Sequence, residues 1–197
     1  ADTEAVLPVV AALEEQLATF KQKYAIPWEL VALPTTPEKW AGDMPPEVEG
    51  YADTVEEYPY DPERAKQLLQ EAGVQMPVEI EFWYPSDVSR PYMPNPKNNF
   101  EAFAASLNKS GFKVVPKTAP WDPDYLGRVD EGNAGHLHLI GWTGDFGDPA
   151  NFLNVHFGTY TDQFGMNNAK LFNLLAKADQ ETDIDKRTAL YQAASIL

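Results

Sequence analysis

Between Tyr60 and Gly141 the hydrophobic period switches back and forth between that of a helix and that of a strand, and this alternation constrains the fold more than any other feature of the 197 residues. Asp61 precedes Pro62, and Ala65, Leu68, Leu69 and Ala72 recur at helical spacing before Gly73. An N-cap, a proline at the first helical position and a terminal glycine together bound a helix. Val78-Glu79-Ile80-Glu81-Phe82-Trp83-Tyr84 alternates as a strand does. After a Pro-rich loop, Phe100, Phe103, Ala104 and Leu107 mark a second helix closed by Gly111, and Phe112 to Lys117 is the next strand. Asp122-Pro123 begins a short third helix through about Glu131, and His136 to Gly141 reads as a third strand. A long loop from Trp142 to Met166 then leads to helices over 169–178 and 184–197. Strand, helix, strand, helix, strand is the grammar of right-handed crossovers, so the expected class is α/β, a sheet with helices packed on its faces.

Upstream the pattern differs. From about Glu4 to Tyr24, Val6, Val10, Leu13, Leu17, Phe20 and Tyr24 recur at helical spacing with Glu14, Glu15, Lys21 and Lys23 on other faces, which predicts one amphipathic helix. Ala25 to Pro59 carries six prolines and no sustained period, as expected of an extended connection. The expected organisation is therefore an N-terminal helix and connection over 1–44 and an α/β unit over 45–197. The first 85 residues hold 17 of the 30 acidic side chains but 5 of the 15 basic ones, the pattern of a solvated acidic surface.

The formal charge of -15, with no Lys/Arg stripe, makes nucleic acid and anionic bilayers repelled partners. Zero cysteines exclude disulfides, thiolate metal sites, a cysteine nucleophile and a lipid-carrying cysteine on this chain. No apolar run approaches the roughly 20 residues that span a bilayer, and Ala1-Asp2-Thr3-Glu4 lacks a basic n-region, so an exported protein would carry its signal outside these residues.

In an α/β sheet, ligands sit beyond the carboxyl ends of the strands, on loops held by the scaffold. Two loops meet that rule. The one after strand 78–84 contains Arg90, Pro91, Tyr92 and Asn95; the one after strand 136–141 contains Trp142, Thr143, Gly144 and Asp145. A guanidinium can take a carboxylate bidentately while Asp145 takes an ammonium, a pairing suited to a zwitterion such as a peptide. Taken on spacing alone, a surface cation and a turn aspartate are the alternative.

Three segments carry a family resemblance. Tyr58-Pro59-Tyr60-Asp61-Pro62-Glu63-Arg64-Ala65-Lys66-Gln67-Leu68-Leu69-Gln70-Glu71-Ala72-Gly73 resembles a hallmark of the family-5 extracellular solute-binding proteins, the dipeptide and oligopeptide receptors of ABC importers. Gly141-Trp142-Thr143-Gly144-Asp145-Phe146-Gly147-Asp148-Pro149-Ala150-Asn151-Phe152-Leu153 is similar to a second, and Asn167-Asn168 with Leu174 to Ala178 and Asp185 to Tyr191 to a third. The resemblance covers roughly residues 45 to 197 and implies one lobe, the second, of a class II periplasmic-binding-protein-like fold with a mixed sheet, truncated at its C-terminus. It further implies a non-enzymatic, extracytoplasmic receptor that needs no cofactor and closes around a di- or oligopeptide between this lobe and a first lobe before docking on an ABC permease. By the same resemblance, Arg90 in its Arg-Pro-Tyr context holds the ligand carboxylate, Asp145 holds the amino terminus and Trp142 lies against the ligand, with Tyr92 and Asn95 as weaker contacts. Family members for nickel complexes, haem and sugars leave the ligand open, and residues 1–30 match none of the family's motifs.

Other constellations point elsewhere. His136 and His138 share one side of a predicted strand and His156 lies in the loop beyond, but no acidic residue sits at ligand spacing, so a metal site is not expected. Asp145 and Asp148 could form a hydrolytic carboxylate pair, although Asp148-Pro149 reads as a helix or turn start with Asp148 capping backbone N–H groups. A second class of function is an isolated or engineered lobe acting as an interaction scaffold, in which residues 1–30 cover the surface left by the first lobe.

Overall fold

The computed structural model describes residues 48–55 and 58–197. The expected helix over Glu4–Tyr24, the scaffold reading that depends on it, and most of the Pro-rich connection lie outside the described residues.

The first helix, α1 (Pro62–Glu71), begins where the sequence says it should: the Asp61 carboxylate accepts the Arg64 N–H at 2.9 Å. Gly73, at φ +70°, turns the chain out of it in a conformation that favours glycine. Strand β1 (Val78–Pro85) then runs through the centre of a three-stranded sheet. Helix α2 (Pro96–Lys109) starts on Asn95, whose Oδ1 accepts the Asn98 N–H at 3.0 Å. It returns the chain to β2 (Phe112–Ala119), which pairs with β1 in parallel from Val78 opposite Phe112 to Pro85 opposite Ala119.

Between β2 and the third strand lie a π-helical turn, Trp121–Tyr125, and a one-turn helix α3 (Leu126–Asp130), in place of the single helix expected from Asp122. Asp122 itself keeps extended angles, and Pro123 removes an N–H that a helix would use. Strand β3 is reduced to Leu137–His138, pairing with Phe82 and Trp83 in parallel, against an expectation of 136–141. The ladder stops for a visible reason. The Leu139 N–H still donates to Trp83 O at 3.0 Å, but the next bond would need an N–H from residue 85, which is proline. The Tyr125 hydroxyl donates to the Leu139 O left over, at 2.7 Å, and also lies 3.2 Å from Trp83 O. The sheet order is β2-β1-β3 and all three strands are parallel, so the antiparallel member of a mixed sheet is not among the described strands.

Alternation along β1 divides the side chains between the two faces. Ile80 and Phe82 join Phe112 under Ala65 and Leu69 of α1 and Phe100, Ala104 and Leu107 of α2, forming the main core. On the other face Trp83 packs with Tyr125, Val129 and Ala134. Further along that face, Glu79 pairs with Lys113 at 2.9 Å and Glu81 with Lys117 at 3.2 Å, which leaves this part of the face charged and solvated.

A second core lies in the C-terminal helices. The segment expected as a loop from Trp142 to Met166 contains α4 (Ala150–Phe157), followed by α5 (Ala169–Gln180) and α6 (Ile184–Ile196). Phe152 and Leu153 of α4, Leu171, Leu175 and Ala178 of α5, and Tyr191 and Ala194 of α6 close around Val48. Gly50, at φ +87°, lets the chain pass against α6, where a Cβ would lie 2.8 Å from Cβ of Tyr191.

Candidate functional site

Parallel strands place their carboxyl ends on one edge of the sheet, and both candidate loops leave from that edge, one from β1 and one from its direct neighbour β3. In the first, Arg90 and Met93 exchange both backbone hydrogen bonds, at 3.1 and 2.9 Å, folding Arg90-Pro91-Tyr92-Met93 into a tight loop pinned by the buried Met93 side chain. The Arg90 guanidinium carbon lies 4.8 Å from the centre of the Trp121 ring, which stacks in turn on Tyr125 at 5.8 Å and 18°. Asp87 fixes this indole from below by accepting the Trp121 backbone N–H at 2.7 Å. Among the described residues no carboxylate pairs with Arg90, so its charge is held by an aromatic face and left available to an anion.

Tyr92 joins the two loops. Its ring covers Gly141 at the start of the second loop so closely that a Cβ there would sit 2.5 Å from Cδ2 of the ring. Burial pushes the Tyr92 phenol up, and the Arg90 guanidinium beside it pulls the other way without reversing the shift.

The second loop is organised around Asn151, in the first turn of α4. Its side chain is 6% exposed, and Oδ1 accepts the Asp145 backbone N–H at 2.7 Å and lies 3.4 Å from the Trp142 indole nitrogen. Gly144 passes between them, where a Cβ would collide with the Phe152 ring. The Asp145 side chain is exposed, and Trp142 is 38% exposed with its ring edge-on to His156 at 5.7 Å and 90°.

Asp148 is not partnered with Asp145. It receives the Arg187 Nη2 at 2.8 Å and the Ala150 N–H at 2.8 Å, tying the loop to α6 and to the start of α4. Burial works to raise the Asp148 carboxyl, but the Arg187 guanidinium and the Ala150 N–H override it and hold the group below the usual carboxylate range. A carboxylate neutralised in this way is a poor base, which removes the physical basis of a hydrolytic pair.

Arg90, Tyr92, Trp142 and Asp145 thus share one edge of the sheet. Asn95 lies at the far end of the first loop with its side-chain oxygen spent on capping α2, leaving only its Nδ2 group for a ligand. The histidines are separated by role. His136 Nδ1 accepts the Glu81 N–H at 3.0 Å, burial lowers His138, and His156 belongs to α4 and not to a loop, packing on Trp142, Phe157 and Phe164. Among the described residues no three His, Asp or Glu side chains are placed to hold a metal. Nor is any helix of those residues long and apolar enough to cross a membrane.

A small parallel sheet that presents charged and aromatic side chains from two adjacent strand ends, with the Asp148 carboxylate neutralised by Arg187, is the arrangement of a ligand-binding lobe. The family description "Bacterial extracellular solute-binding proteins, family 5 Middle" matches residues 32–164, and the chain belongs to that family. The chain is 39% identical over 158 residues to the Heme-binding protein A of Haemophilus influenzae, covering 78% of this chain and 28% of that protein. It is 36% identical over 159 residues to the Dipeptide-binding protein of Escherichia coli, covering 78% and 29%. Among solved structures, the periplasmic binding protein DppA of Helicobacter pylori in complex with the peptide STSA superposes with a TM-score of 0.66 at 30% identity, covering 80% of this chain and 30% of that one. The chain therefore spans under a third of the length of these relatives.

Proposed function

We propose that this chain forms one side of the ligand cleft of a periplasmic peptide receptor serving an ABC importer. Arg90 receives the peptide carboxylate, Asp145 the terminal ammonium, and Trp142 covers the backbone between them, with Tyr92 bracing Arg90. The observation that carries the reading is the arrangement of Arg90: a guanidinium on an indole face with no carboxylate partner among the described residues, one strand away from an exposed carboxylate whose loop is fixed by Asn151. A free peptide supplies the two missing partners, and a ligand with a blocked terminus leaves a charge unpaired in the closed cleft. Hinge closure of a first lobe over these loops would produce the form that docks on the permease. The names of the peptide-binding relatives, and the peptide in the Helicobacter pylori complex, support this ligand class.

Calorimetry with di- and tripeptides tests the proposal on a receptor-length protein containing these residues. Asp145→Ala should cost about 2 kcal/mol or more, on the order of thirtyfold in affinity; unchanged binding would remove Asp145 as an anchor. The 197 residues alone should bind weakly or not at all, because a cleft that closes over the ligand needs a first lobe as well.

A haem ligand is the second reading, favoured by the Trp142–His156–Phe164 cluster, where an imidazole stands between aromatic rings. Haem titration of the same protein distinguishes the two: a Soret shift lost in His156→Ala supports haem, and peptide calorimetry without such a shift supports the peptide.

A further inference from the structure

Asn151 is buried, 6% exposed, and nothing in the packing of α4 requires an amide there. Its neighbours Phe152 and Leu153 face the C-terminal core, whereas its own oxygen is turned the other way, into the loop. A buried amide oxygen that receives a loop N–H at 2.7 Å, with an indole nitrogen also in reach, fixes both groups relative to the helix. The two groups belong to Trp142 and Asp145, and the Trp142 ring also stands edge-on to His156 at 5.7 Å. Gly144, which has no room for a side chain, keeps the intervening chain within reach of that oxygen.

We propose that Asn151 is a positioning residue for recognition of the ligand's amino terminus: it touches no ligand itself and sets the Asp145 carboxylate and the Trp142 ring where an ammonium group would meet them. The inference rests on the peptide reading above and adds to it the residue on which selection for a free amino terminus depends. Arg90, held by Trp121 on the other loop, is outside its reach. Loss of Asn151 therefore acts on one end of the ligand only, whereas a general loss of structure acts on both.

The test compares Asn151→Leu, of similar size with no acceptor, with Asn151→Asp, which keeps an oxygen at the same place. In receptor-length protein, the affinity ratio of a free dipeptide to its N-acetyl derivative should fall at least tenfold in Asn151→Leu, approaching the ratio in Asp145→Asn. The ratio of the free dipeptide to its C-terminal amide should stay within about twofold. Asn151→Asp should restore most of the amino-terminal discrimination. Equal loss of both ratios, or no loss of the first while Asp145→Asn abolishes it, overturns the positioning role and leaves the peptide reading standing. Indifference of the wild-type protein and of Asp145→Asn to acetylation overturns the peptide reading and this inference with it. A second measurement needs no ligand and no folded leucine variant: in the 197-residue chain the Asp145 amide should be protected from hydrogen exchange in the wild type and in Asn151→Asp. Exchange at the rate of an open amide in the wild type would overturn the proposal.

Discussion

Replacing Gly141 by alanine probes the contact that holds the two loops together. The added Cβ would lie 2.5, 2.8 and 2.9 Å from Cδ2, Cγ and Cε2 of Tyr92, against the roughly 3.5–4.0 Å of comfortable carbon contact, so the ring must retreat by about 1 Å. Overpacking of this kind costs about 1–3 kcal/mol. A domain of this size should lose about 2–4 °C of melting temperature for each kcal/mol. The origin of the cost can be isolated with a double-mutant cycle in urea. If the clash is with the Tyr92 ring, Gly141→Ala should be close to neutral in a Tyr92→Ala background, giving a coupling energy of about 1–3 kcal/mol between two residues 49 positions apart in the sequence. Additive effects, within about 0.5 kcal/mol, would refute the contact and with it the mechanical link between the loops. Because the displaced ring sits beside Arg90, the same substitution should weaken discrimination of a free ligand carboxylate more than that of a free ammonium.

Other perturbations read out other parts of the frame. Tyr125→Phe removes the hydroxyl that bridges Leu139 O and Trp83 O and leaves a buried carbonyl without its partner, so urea unfolding should show a loss of about 1–3 kcal/mol; a loss below about 0.5 kcal/mol would mean that water takes the place of the phenol. Asp148 is held below the usual carboxylate range in the fold. It therefore adds stability above its unfolded value near about 3.9 and loses it as pH falls through the lower folded value, so Asp148→Asn should flatten the acid limb of the stability curve. His138, lowered by burial, has the sign of a buried neutral base: its stability is complete above about pH 6.5 and declines below it, where the unfolded chain takes the proton first. His138→Leu should remove that decline, and an unchanged pH profile would place the titration elsewhere. Asn95→Ala should destabilise the lobe by about 1 kcal/mol through the lost cap of α2, with peptide affinity changed little if Nδ2 has no ligand role.

The first half of the sheet was legible because its signals are local. Asp61 and Pro62, Gly73 and Gly111 each act within a few residues, and the alternation of β1 is independent of what packs on it. Strand β3 was overestimated because its length is decided by its partner: β1 ends on Pro85, which has no N–H to give to Leu139 O, and that carbonyl is taken by the Tyr125 hydroxyl instead. Helix α4 was hidden within an apparent loop because it is eight residues long and its Phe152, Leu153, Val155 and Phe157 fall on several faces instead of forming one stripe. The candidate site divides in the same way. Arg90 and Asp145 advertise themselves by charge and by position after strands. Trp121 and Asn151 do not, since one is reached across 31 residues of chain and the other reads as an ordinary polar residue in the first turn of a helix.

The adjacency of β1 and β3 has a consequence for how such a receptor could change over evolutionary time. Both charge-bearing loops are rooted in strands that are hydrogen-bonded to each other, about 4.8 Å apart, so the gauge between them is set by peptide geometry and not by any side chain. Substitutions around Trp142, Phe146 or Phe164 can redraw what the cleft tolerates along the length of a ligand. The gauge itself shifts only if the ladder slips by a whole register, which would turn the buried Phe82 and Ile80 towards the other face. On the peptide reading, chemical preference is thus free to drift while the span between the two loops is held by the backbone ladder.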